Sequence, residues 1–163
     1  MLLIIVKSDD REVAKRVGRM LDALELLPGV YLSWSPREKA VKAIGAVKSQ
    51  VVRKWEEEGA GPTLEAAVLE LTEAQFNEVR PLARAVIAAA AEAMYEEMGR
   101  LLERMRSGKG GRDLSGWYRD LARRYQRLLD ASIALDVEPT ALARLRERWK
   151  EVTLEAGRLH KRR

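Results

Sequence analysis

The sequence predicts an α+β protein in two parts, a sheet-bearing head over residues 1–72 and a helical tail over residues 73–163. Three observations predict it. Short apolar runs alternate with helically spaced stretches up to Thr72. Beyond Thr72 only helical spacing remains. The positive charge is confined to the distal tail: residues 98–163 hold 17 Lys/Arg against nine Asp/Glu, whereas residues 1–72 hold 11 of each sign and residues 73–97 hold two against five.

The first element is the apolar run Leu2–Lys7, which reads as a buried central strand. Ser8-Asp9-Asp10 follows, and either aspartate can accept from the free amides of a helix start. From residue 11 to about 23, Val13, Val17, Met20, Leu21 and Leu24 form one helical stripe. Pro28-Gly29 then separates two short apolar segments, 24–27 and 30–34. Proline followed by glycine suits the centre of a type II turn, so a hairpin is expected.

Ser35-Pro36-Arg37-Glu38 has the form of a capping box with proline at the first helical position. The predicted helix runs to about residue 58, where Gly59-Ala60-Gly61-Pro62 ends it. The run 64–71 is the fourth strand. The order β-α-β-β-α-β predicts a ferredoxin-like head, an antiparallel four-stranded sheet with both helices on one face.

A second capping box, Thr72-Glu73-Ala74-Gln75, opens a long helix over 73–106, with Pro81 expected to kink it. Ile87, Ala91, Met94, Met98, Leu101 and Met105 recur at alternating four and three residues, a coiled-coil-like seam. A glycine-rich linker over 107–112 leads to a helical hairpin over 113–159, turned at Asp136-Val137-Glu138-Pro139.

Composition bounds the chemistry. With no cysteine there is no disulfide, thiolate metal site or cysteine nucleophile. His160 is the only histidine, in a basic terminus, so Ser-His-Asp chemistry is not expected. No cofactor is expected. One asparagine and three glutamines amid abundant charge fit a thermophile. The opening apolar run is too short to span a bilayer and lacks the features of a signal peptide, so a cytoplasmic protein with no membrane partner is expected.

The distal charge supplies the main functional expectation. Arg119, Arg123, Arg124 and Arg127, with Lys109 and Arg112 in the linker, could meet a phosphate backbone through charge-assisted bonds and counterion release. The competing reading is a solvated helix whose arginines pair with Asp120, Asp130 and nearby glutamates. Gly108–Arg112 offers free amides as anion nests do, but lacks P-loop spacing. Tyr31 and Trp34 could stack bases if exposed; otherwise they pack the core. Asp9 or Asp10 could serve a metal-dependent nuclease, against the simpler role of helix capping.

Gly29-Val30-Tyr31-Leu32, ahead of the second helix, resembles the N-terminal domain of the chromate-resistance regulators (ChrB-like). That family shares the layout of apolar strand, basic helix, "G-V-Y-L" hairpin strand, helix, strand and helical continuation. Ser33-Trp34-Ser35-Pro36 departs from its usual Leu-Pro ending. The first 25 residues are also similar to the small ferredoxin-like nuclease subunit of CRISPR adaptation. The first resemblance implies a non-enzymatic DNA-binding transcriptional regulator or accessory protein, with duplex DNA as partner. Two alternatives stand beside it: an assembly module or homodimer using the 73–106 seam and the head hairpin, and a nuclease at Asp9/Asp10.

Overall fold

The computed structural model describes residues 1–108 and 112–161. It is a mixed α+β structure. In the described residues the elements run β1 (Leu2–Lys7), α1 (Arg11–Arg19), β2 (Ala23–Leu27), β3 (Val30–Ser33), α2 (Arg37–Glu58), β4 (Glu65–Glu70), α3 (Glu73–Arg106), α4 (Arg112–Leu135) and α5 (Thr140–Lys161). Two compact units divide the chain, Met1–Ala83 and Arg84–Arg163, and the division falls inside α3.

In the first unit the four strands form one antiparallel sheet in the order β2-β3-β1-β4. β1 is central, as its apolar run predicts, but its burial alternates. Leu2, Ile4 and Val6 are buried while Ile5 is 40% exposed. The even-numbered side share one core with Val13, Ala14 and Val17 of α1, Tyr31 of β3 and Ala40, Ala43 and Val47 of α2. Both helices therefore bury their apolar stripes against the same sheet face.

The turn between β2 and β3 uses Gly29 at φ +79°, where a β-carbon would lie 2.3 Å from the Val6 carbonyl oxygen. That close approach lets the Val6 amide donate to the Gly29 carbonyl at 2.7 Å. Glycine is needed here both for its φ and for its lack of a side chain.

Two local expectations are corrected. α1 ends at Arg19 rather than near residue 23. The Asp22 carbonyl instead accepts from the Trp34 amide at 3.1 Å and the Ser33 hydroxyl at 2.9 Å, so sheet pairing takes the residues the stripe had given to the helix. Ser35 does not cap α2. The residue flanking the helix is Pro36, without a side-chain cap, and the Ser35 hydroxyl accepts from the Asp22 amide at 3.0 Å. The second box forms as read. The Thr72 amide donates to Gln75 Oε1 at 2.9 Å, and the Gln75 amide donates to Thr72 Oγ1 at 3.2 Å. Pro81 lies within α3, where it removes one donor without ending the helix.

In the second unit the α3 seam is buried throughout: Ile87, Ala91, Met94, Met98, Leu101 and Met105 are each at most 4% exposed. Leu121, Leu128 and Leu135 of α4, and Leu142, Leu145 and Val152 of α5, are buried as well. Polar ties join the helices. Trp117 Nε1 donates to Glu97 at 2.9 Å, Arg84 donates to the Glu138 carbonyl at 3.3 Å, and Arg148 donates to the Tyr95 hydroxyl. Trp149 stacks on Tyr118 and Tyr125, with ring centroids 5.4 and 5.1 Å apart. The seam is thus satisfied within the chain, and the expectation that it offers a face to a partner is corrected.

Candidate nucleic-acid interface

α4 separates the four arginines that the sequence groups together. Leu121, Tyr125 and Leu128 point to the buried side, which fixes the helix's rotation. Arg119, Arg123 and Arg127 then fall on one exposed row, each four residues from the next. At a rise of about 1.5 Å per residue, successive guanidinium stems are spaced by about 6 Å along the helix. Arg124 turns away from this row and meets Glu97 of α3 at 2.9 Å and Asp120 at 3.4 Å.

Their surroundings differ as well. The Arg123 side chain is 78% exposed and reaches Asp120 only at 4.0 Å. Arg119 donates through Nε to the Ser115 carbonyl of its own helix at 3.3 Å and makes no ion pair among the described residues. Arg127 has no ion pair or hydrogen bond among the described residues. Asp130, a candidate partner for these arginines, instead accepts from Gln126 at 2.9 Å. Pairing with carboxylates therefore accounts for Arg124 and loosely for Arg123, but for neither Arg119 nor Arg127. Lys109 and the side chains of Arg112 and His160 lie outside the described residues.

The aromatic candidates in the head serve the core. Tyr31 is 4% exposed, and its hydroxyl donates to the Ala14 carbonyl at 3.1 Å. Base stacking by Tyr31 is thereby corrected; Trp34 is half-buried. The Gly29–Leu32 motif places Tyr31 and Leu32 in the interior, so those residues carry the fold of the strand.

The two aspartates are also occupied. Asp9 Oδ1 accepts from the Thr63 amide at 2.7 Å and the Thr63 hydroxyl at 3.2 Å, tying the start of α1 to the approach to β4. The backbone donor in particular holds its carboxyl below the usual aspartate range. Asp10 caps α1 by accepting from the Glu12 amide at 2.8 Å. Among the described residues no three acidic or histidine side chains converge in a metal-binding arrangement.

One cluster escaped the sequence reading. Arg144 and Arg148, four residues apart on α5, lie 4.9 and 4.3 Å from the Tyr95 ring centre. Hydrogen bonds from Arg148, then Arg144, hold the Tyr95 phenol below its ordinary pKa. The cluster borders an open cleft of about 410 Å³ lined by Ala89, Glu92, Ala93, Glu96 and Ala141. Its sequence signal is the Arg144/Arg148 spacing alone, and nothing in the sequence shows that a tyrosine on α3 sits opposite. With Glu92 and Glu96 facing Arg144, the cleft concentrates neither sign of charge.

No family model, curated protein or solved structure matches the chain. Among the described residues no helix is long and apolar enough to cross a membrane.

Proposed function

We propose that the protein binds nucleic acid, with duplex DNA as its partner, through the exposed arginine row of α4, and acts as a non-enzymatic transcriptional regulator or accessory protein. The observation that carries this reading is the row itself. Among the described residues Arg119 and Arg127 have no carboxylate partner, and Arg123 has only a distant one. Arginines at single-row spacing suit successive phosphates, since guanidinium groups bind phosphate oxygens through paired donors. Among the described residues no exposed aromatic residue interleaves with the row, so its contacts position the helix on a backbone and carry no base information.

The strand order β2-β3-β1-β4 supports a ferredoxin-like head, and the stacking of Tyr118 and Tyr125 of α4 on Trp149 of α5 supports an antiparallel α4–α5 hairpin. This layout, with the resemblance to the chromate-resistance regulators, favours regulation over catalysis. Asp9 and Asp10 are bound to backbone donors, which weakens the nuclease alternative.

Fluorescence anisotropy of labelled duplex DNA, titrated at low and at physiological salt, tests the reading. Binding at low salt that weakens steeply as salt rises is expected. Absence of binding at low salt would overturn it.

A further inference from the structure

α2 meets the sheet through Ala40, Ala43 and Val47, and a separate flank of the same helix carries a second apolar row. Val41, Val52 and Trp55 on that flank are 54%, 48% and 45% exposed. Gly45 lies between them, with nothing within 4 Å of where its β-carbon would be. Together with Lys48, these positions follow one another at alternating four and three residues, the spacing by which one helix offers a continuous seam to another. Single exposed apolar residues are ordinary, whereas these three line up on one helix, with Trp55 also donating through Nε1 to the Pro62 carbonyl at 2.9 Å.

Charge along this flank is ordered. Lys42 lies in the first half of α2, Lys48 at its middle and Glu56 in its last turn. Among the described residues none of the three makes an ion pair or side-chain hydrogen bond, whereas Arg53 and Lys54 are taken by Glu57 and Glu58. A partner seated on the row must bring acid opposite Lys42 and base opposite Glu56. The same helix, reversed, does so.

We propose that this row docks a second copy of the chain, with the two α2 helices antiparallel about a two-fold axis. Centred between Lys48 and Ser49, the pairing sets Gly45 against Val52 of the second copy and Lys42 beside Glu56 of the second copy. Symmetry repeats both contacts, as an isologous interface requires. Gly45 admits close approach of the facing helix, and Lys48 faces Ser49 rather than its own equivalent. A parallel pairing would set Lys42 on Lys42 and is disfavoured by like charge.

Light scattering on the full chain without nucleic acid tests the proposal independently of the α4 row. The wild type is expected to be dimeric at concentrations on the order of 100 µM. Val52→Glu is expected to give monomers with unchanged far-ultraviolet circular dichroism. Lys42→Glu and Glu56→Lys should each weaken the dimer several-fold, and the double exchange should restore it. That exchange decides the matter even if Val52→Glu perturbs folding. A monomeric wild type, a folded Val52→Glu dimer, or a double exchange no better than its components would overturn the proposal.

Discussion

The Tyr31 ring lies against Gly18 of α1, where an added β-carbon would sit 2.4 Å from Cε1. Glycine inside a helix ordinarily costs about 1 kcal/mol relative to alanine. Here the ring is enclosed and cannot swing away, so Gly18→Ala is expected to destabilise the head by about 1–3 kcal/mol despite better helix propensity. Urea denaturation measures the sign. Tyr31 itself adds a pH dependence. Burial, then the Glu25 carboxylate, pushes its phenol up to about 12 from 10.0. The folded state favours the neutral ring, so this contribution is whole below pH 10 and is lost as pH rises through about 12. Tyr31→Phe should lose about 1 kcal/mol at neutral pH through the missing bond to Ala14, and should flatten the alkaline loss of stability relative to wild type. An alkaline limb of the same steepness in both proteins would contradict this account of the ring.

At the scale of elements, the two capping boxes show what a local pattern can and cannot settle. Thr72 and Gln75 satisfy each other's backbone donors, and Thr72→Ala is expected to cost about 1 kcal/mol in thermal denaturation. Ser35 has the same pattern, yet its hydroxyl is drawn to Asp22, thirteen residues earlier in the sequence and just ahead of β2, which pairs with β3. The end of α1 was illegible for the same reason, because pairing at Ser33 and Trp34 overrides the stripe. Strand runs, helix lengths and the α3 seam were legible because burial periodicity is a local property. The four arginines of α4 read as one group, but rotation of the helix sends Arg124 to Glu97, and that acid's position depends on how α3 packs.

At the scale of the molecule, charge and apolar surface are allotted to different places. The seam of α3 is buried, so it holds the second unit together. In the head, the exposed flank of α2 keeps an apolar row bordered by ordered charge. The distal net charge was visible by counting residues. Which arginines of α4 lack a carboxylate among the described residues was not, because three-dimensional pairing decides it. A protein that uses these three cations on a polyanion should release about one counterion for each phosphate neutralised.

The most direct measurement is the salt dependence of duplex-DNA affinity in the wild type and in the triple variant Arg119→Gln, Arg123→Gln, Arg127→Gln. Each lost phosphate contact should reduce the magnitude of the log–log slope by about 0.9, hence by about 2.7 for the three, with folding unchanged by circular dichroism. A folded triple variant with the wild-type slope and affinity would contradict the assignment of binding to α4.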